Sequence, residues 1–287
     1  MSVIVVAHDV REEVLACLAS VNAHSAGLQV QTVLVDNGST DGTTEAVRKR
    51  FPEVAVVRRE KNEGLVARNH GLRLASGRHR MFLDSDATLT EGALGRLVAF
   101  LDADPSVGLV GPRLVYGDGS FQPSARRFPP PLLPLLRRPP LRPIFEGRAT
   151  VQRHLMADAN LDRAREVEYV LGACQVFRAG AQALAGEMDP AIFYGPDDAD
   201  WCLRIRQGGL KVMYVPDAVV VHGYRRSSSG RPISRLALRH LLAYAHFQRK
   251  WRHDRRRLIE EGREMDRRAA EAGGFGAHES APSSTVA

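Results

Sequence analysis

Cysteine is scarce in this chain: three among 287 residues, Cys17, Cys174 and Cys202, far apart and never in C-x-x-C spacing. They read as buried structural thiols in a reducing compartment. No run approaches the roughly 20 apolar residues that a membrane-spanning helix needs. The apolar start after Met1 is only a strand long and has no basic flank, so it does not read as a secretory signal. The expectation is a cytoplasmic protein, soluble or peripheral at the inner face of the plasma membrane. No G-x-G-x-x-G follows the first apolar run and no G-x-x-x-x-G-K-S/T occurs, which disfavours a dinucleotide fold and a P-loop. The chain is basic overall, but no nucleic-acid readout motif accompanies the charge, and no internal repeat is evident.

At 287 residues and 44% hydrophobic, the chain can bury one sizeable core and carry appendages. Val3 to Ala7 is a continuous apolar strand, Glu12 to Ala23 has helical periodicity, and Val30 to Val35 is a second apolar strand ending at Asp36. That is a βαβ opening. The loop Asp36 to Gly42 then packs turn formers and capping residues before a helix over Thr43 to Phe51. In an open parallel sheet, ligands bind outside the carboxyl ends of the strands, so Asp36 and the acids that end the next buried strand would share one crevice.

Those acids are Asp84 and Asp86, flanking Ser85 directly after the apolar run Arg80 to Leu83. Carboxylates in alternate positions at a strand end point into roughly the same space, where they repel unless neutralised. A hard divalent cation resolves the conflict: Mg²⁺ and Mn²⁺ take oxygen ligands, commonly one or two carboxylates together with substrate phosphate oxygens. The implied ligand is a metal-bound phosphate ester; the alternative is a solvated turn.

Val35 to Gly42, Asn62-Glu63-Gly64 with Ala67-Arg68-Asn69, Asp84-Ser85-Asp86, Gly172-Ala173, Tyr194 to Asp200 and Val221-His222, in this order, resemble the family 2 glycosyltransferases, most closely the bacterial rhamnosyltransferase-like branch. The resemblance implies an α/β GT-A fold, with a Rossmann-like, mainly parallel mixed sheet flanked by helices. It also implies inverting transfer from a nucleotide-diphospho-sugar, dTDP-rhamnose or a UDP-hexose, to a hydroxyl of a cell-surface glycan or polyprenyl-linked acceptor. By the same resemblance, Asp86 with Asp84 and His222 would hold Mg²⁺ or Mn²⁺. Ala7, Asp36, Asn37, Gly38, Asn62, Gly64, Arg68, Asp84 and Ser85 would line the donor nucleotide, with Asp36 accepting from the imide of uracil or thymine and Arg68 supporting the base. Asp198 would be the general base, oriented by Asp197, and Gly172, Ala173 and Trp201 would face the acceptor. At the first strand, Ala7-His8-Asp9 replaces the family's usual Thr-Tyr-Asn, and Asp197-Asp198 stands where Glu-Asp is common.

Each role has a plainer competitor. A strand-end histidine is more often a structural donor, acids in a first helical turn often only cap it, and Trp201 can be core rather than sugar platform. A different class also stays open: a catalytically silent nucleotide-sugar-binding scaffold of a polysaccharide assembly complex. A nucleotidyltransferase would need a glycine-rich basic loop after the first strand, which Ala7 to Val10 does not provide.

The expected organisation is a catalytic domain over 1–226, a basic amphipathic helical arm over 227–272 and a disordered tail over 273–287. Within the first, the nucleotide-sugar half spans about 1–115, a proline-rich insertion about 128–143 and the acceptor half about 165–226. Residues 225–270 hold 14 Lys or Arg against 5 Asp or Glu, a net +9 that leaves −2 on the rest. From Ile233 to Arg249 leucines and aromatics alternate with arginines, which suits a helix lying on an anionic membrane or one packed on the catalytic domain. Phe128 to Pro143 is too proline-dense for a regular helix or central strand, and reads as a hydrophobic flap or an irregular excursion packed on the core.

Overall fold

A computed structural model describes residues 1–25, 27–136, 141–223 and 235–274. The chain runs through β1 (Ser2–Ala7), α1 (Arg11–His24), β2 (Gln31–Asp36), α2 (Thr43–Arg50), β3 (Ala55–Arg58), a 3-10 turn at Gly64–Ala67, α3 (Arg68–Leu74) and β4 (His79–Asp84). It continues through β5 (Ala87–Leu89), α4 (Ala93–Ala103), β6 (Val107–Val115), β7 (Phe121–Gln122), β8 (Ala125–Arg126) and three short helices, α5 (Leu133–Leu136), α6 (Arg142–Phe145) and α7 (Ala149–His154). The last part comprises β9 (Arg165–Glu166), β10 (Tyr169–Val170), β11 (Cys174–Arg178), α8 (Ala179–Ala185), α9 (Asp197–Gln207), β12 (Lys211–His222), α10 (Arg235–Lys250) and α11 (Arg255–Gly274).

The main sheet has the order β3-β2-β1-β4-β11-β6-β12-β5. It is parallel from β3 to β4 and mixed beyond, because β11 runs against both β4 and β6. Val3 and Val5 of β1 and Met81 and Leu83 of β4 enter the core under α1, α2 and α4, while Ile4 and Phe82 enter the opposite core under α3, α8 and α9. This alternation is the strand period of two. It aims Asp84, two residues after Phe82, toward the α3 and α9 side. The three cysteines are free and buried.

The arm does not stand apart. Ala243, Phe247, Trp251 and Leu258 join the same buried cluster as Phe82, Phe177 and Trp201, while Leu238 and Leu242 face outward. The apolar face of α10 is thus mostly spent on packing. Its partner includes the proline-rich segment: Tyr244 Oη donates to the carbonyl of Pro130 (2.5 Å) and Gln248 Nε2 to that of Pro129 (3.0 Å). That segment is less irregular than its proline content implies. It forms α5 and α6, each a single turn, and proline is tolerated there because first-turn N–H groups lack helical partners anyway. Pro139-Pro140, the stretch 227–234 and the expected tail beyond Gly274 lie outside the described residues.

One buried carboxylate fastens the arm. Asp200 of α9 accepts from Arg204 Nε (2.9 Å), Trp251 Nε1 (2.9 Å) and Lys250 Nζ (2.7 Å). Asp200→Ala would strand Trp251 Nε1 and Arg204 Nε and leave Lys250 with Asp189 alone, so unfolding in urea should show stability lower by about 2–4 kcal/mol. An unchanged midpoint would show that Asp200 contributes nothing to holding the arm.

Candidate active site

The strand ends of β1, β2 and β4 lie level: Ala7 pairs with Asp36, and Val6 with Asp84. Around them the loops are locked by their own polar side chains. Asp36 is buried and accepts from Ser39 N (2.8 Å) and from the Thr44 hydroxyl, so one of its oxygens holds the 36–42 loop and the other the first turn of α2. Asn37 Oδ1 accepts from Glu63 N (2.9 Å), and its Nδ2 donates to Asn62 Oδ1 (3.1 Å) and the Gly64 carbonyl (3.0 Å). Gly38 and Gly64 sit at φ 82° and 75°, where a side chain is strained. A Cβ on Gly64 would in addition lie 2.1 Å from the Phe193 carbonyl oxygen. Gly38 therefore lets the 36–42 loop close on Lys61 and Asn62, and Gly64 lets that second loop close on Phe193, just before α9.

At the end of β4 the chain turns through Ser85 and Asp86 into β5, which pairs with the end of β12 so that Ala87 lies opposite His222. This return brings Asp84, Asp86 and His222 together, one ligand atom from each lying within 4.8 Å of the others. His222 Nε2 is 3.3 Å from Asp86 Oδ1 and 3.8 Å from Asp84 Oδ2, while its Nδ1 meets Gln122 Oε1 at 2.9 Å. With Nδ1–H donating to Gln122, Nε2 is left facing the carboxylates, the arrangement in which an outer partner fixes the tautomer of a metal-ligating histidine. Two hard carboxylates and one imidazole suit Mg²⁺ or Mn²⁺ completed by phosphate oxygens. Burial works against a charged His222, but the bond to Asp86 and the charges of Asp84 and Asp86 outweigh it and raise its pKa. Burial likewise raises Asp84, against the pull of Arg68 and His222.

Arg68 joins this cluster to the acceptor side. Its guanidinium is 2% exposed, a burial that charged side chains show only when paired. Nη2 donates to Asp84 Oδ1 (2.7 Å) and to the Gly172 carbonyl (2.9 Å), Nη1 lies 3.4 Å from Asp197 Oδ2, and the group stacks 4.8 Å over Phe82. Arg68 is therefore an ion-pair bridge between the end of β4 and the start of α9. Asp198 Oδ2 accepts from Gly172 N (3.2 Å) and its Oδ1 from Ala199 N (2.7 Å). Burial raises the pKa of both acids, and Asp197 is pushed further by the charge of Asp198. The pair titrates above the ordinary carboxylate range.

The other acceptor residues fare unevenly. Gly172 and Ala173 act through their backbones, with Ala173 O accepting from Asp84 N at 2.9 Å, so they strap β4 to Arg68 and Asp198. Trp201 is fully buried between Phe82 and Phe177, with ring centroids 5.6 and 5.5 Å away, and cannot be a sugar platform. Its position on α9 turns it into the core. Gln122 and Asp200 were not singled out by sequence. Gln122 carries no motif, and Asp200 is ordinary until Trp251 is seen against it.

The fold and the acidic strand-end site define a glycosyltransferase of the GT-A class. The profile of "Glycosyl transferase family 2" matches residues 2–178, and the chain belongs to that family. It is 30% identical over 232 residues to an N-acetylglucosaminyl-diphospho-decaprenol L-rhamnosyltransferase of Mycobacterium tuberculosis, covering 75% of this chain and 73% of the relative. A pre-mycofactocin glycosyltransferase of the same organism is 28% identical over 210 residues, 69% of this chain and 38% of its own length. Among solved structures, GalNAc-T7 with UDP, GalNAc and Mn²⁺ matches 88% of this chain and 48% of its own at TM-score 0.64 and 19% identity. A mannosyltransferase from Pyrobaculum calidifontis with GDP-Man and Mn²⁺ matches 97% of this chain and 76% of its own at TM-score 0.57 and 19% identity. These likenesses show the fold.

His222 must lose its Nε2 proton to ligate, and its pKa is raised. Affinity for Mn²⁺ in the presence of a nucleoside diphosphate should therefore climb as pH rises through the raised imidazole range and then level off. Calorimetric titration across that range checks it, with Asp86→Asn expected to abolish binding. A flat profile would show that His222 is not a ligand.

Proposed function

We propose that this chain is an inverting, metal-dependent glycosyltransferase that moves a sugar from a nucleotide-diphospho-sugar to a hydroxyl of a glycan carried on a polyprenyl lipid. The observation that carries the reading is the two-sided site, in which a cation-ready cluster and a pair of acids with raised pKa meet at one buried arginine. Asp84, Asp86 and His222 would hold Mg²⁺ or Mn²⁺, whose chemistry there is to neutralise charge that builds on the departing diphosphate. The chain's own residues do the rest.

Asp198 takes the proton of the acceptor hydroxyl as the acceptor oxygen bonds to the anomeric carbon and the bond from that carbon to the diphosphate oxygen breaks. One base opposite one leaving group gives a single in-line displacement with inversion. A carboxylate with pKa lifted toward neutrality is a stronger base than an exposed one and is still ionised in the working range. Gly172 N and Ala199 N hold its oxygens, and Asp197, paired with Arg68, sets its electrostatic surroundings. Similarity to the decaprenol-linked rhamnosyltransferase supports dTDP-rhamnose as donor, with a UDP-hexose as the competing choice. It also supports a lipid-linked acceptor met at the cytoplasmic face of the plasma membrane. The atypical Ala7-His8-Asp9 is consistent with altered base recognition at the first strand.

Asp198→Asn keeps the shape and one of the two backbone hydrogen bonds but cannot take the proton, so transfer at saturating donor should fall by about 10² to 10⁴ with little change in donor affinity. Asp197→Asn should lose less, and the wild-type rate should decline as pH falls through the raised carboxylate range. A near-normal rate for Asp198→Asn would displace the base to another residue. Complete absence of metal-dependent nucleoside diphosphate release by the wild type would favour the silent scaffold.

A further inference from the structure

Most of the large apolar side chains left in solvent are concentrated in two places. Of the eight that are exposed among the described residues, Leu238 and Leu242 lie on α10, and Leu132, Leu141 and Ile144 lie in the proline-rich segment that α10 holds. Leu238 and Leu242 are 58% and 61% exposed and stand one turn apart. The helix does not need them for its own packing, since Ala237, Ala243, Tyr244 and Phe247 already face the core. Ala245 and Arg249 continue the same outward line, and Arg239 flanks it, all three exposed. A stripe of leucines bordered by arginines, in a segment with net charge +9, complements a surface that is apolar beneath and anionic above.

The stripe is held in a fixed relation to the acceptor acids. Arg239 stacks 4.3 Å over Phe193, and a Cβ on Gly195 would lie 2.3 Å from His240 Cδ2, so α10 rests directly on the segment leading to Asp197-Asp198. His246 and Lys250 bond Asp189 at 3.1 and 2.8 Å, and Trp251 bonds Asp200. We infer that the outward face of α10, centred on Leu238 and Leu242 with Arg249, docks on an anionic lipid bilayer and presents the acceptor side of the site to it. This rests on the reading that the acceptor is lipid-linked, and it adds the surface through which such an acceptor is met. None of the described helices is long and apolar enough to cross a membrane.

The test is sedimentation of the full chain with vesicles of phosphatidylethanolamine and phosphatidylglycerol, against vesicles of phosphatidylcholine alone. The wild type should bind the anionic vesicles, and binding should weaken at least about tenfold when salt is raised from about 0.1 M to about 0.5 M. Leu238→Gln with Leu242→Gln, and separately Arg249→Glu, should each lower binding by several-fold or more. Both variants should keep the wild-type melting temperature and rate on a short water-soluble acceptor, while transfer to lipid-linked acceptor in vesicles falls. Equal binding by the variants, or no binding by the wild type, overturns the docking surface. So does a wild-type dimer that the leucine variant dissolves, which would make the stripe a contact between copies. If docking fails but a soluble acceptor is glycosylated, only this inference falls; if no acceptor is glycosylated while vesicles are bound, the functional reading falls instead.

Discussion

Everything at this site depends on one buried guanidinium. Arg68 opens α3 deep in the fold, pairs with Asp84 at the end of β4 and with Asp197 at the start of α9, and takes the Gly172 carbonyl from the strap between them. Residues 16, 104 and 129 positions away in the chain are thus tied to a single planar group. Without it, the carboxylates of the donor and acceptor sides would be brought into one desolvated space with nothing to offset their repulsion. An arginine suits this better than a lysine, because its fixed fork can serve separated acceptors at once and its charge persists on burial.

The fold was legible where the chain alternates plainly. Val3 to Ala7, Val30 to Val35 and the run before Asp84 are apolar strands in the structure as in the sequence, with ends shifted by one or two residues, and the helix over Thr43 to Phe51 closes one residue early. The Asp84 and Asp86 pair was also legible, since strand-end acids imply a cation, while His222 joined them only through the family resemblance. Legibility failed wherever a role depends on what lies opposite. Trp201 and Asp200 share one turn of α9, and only the packing of Phe177 on one and Trp251 on the other shows that both are structural. Asp36 and Asn37 are bound up in holding loops together, which a local reading of a polar loop does not reveal.

The arm changes meaning in the same way. By composition it is a basic appendage; by contact it is part of the second core, fastened through Asp200 and resting on the segment that leads to Asp197 and Asp198. Spending most of its apolar face inward leaves a narrow outward stripe, so any attraction to lipid must be shared between two leucines and the surrounding charge.

The most direct measurement of the central claim is made on Arg68→Lys, which keeps a positive charge but cannot reach Asp84, Asp197 and the Gly172 carbonyl together. Donor dissociation constant in Mn²⁺ and transfer rate at saturating donor are determined for the folded variant, with its melting curve as control. If the arginine couples the two sides, affinity should weaken by about tenfold or more and the rate should fall by about 10² or more, together. A folded Arg68→Lys protein with wild-type affinity and rate would contradict the account.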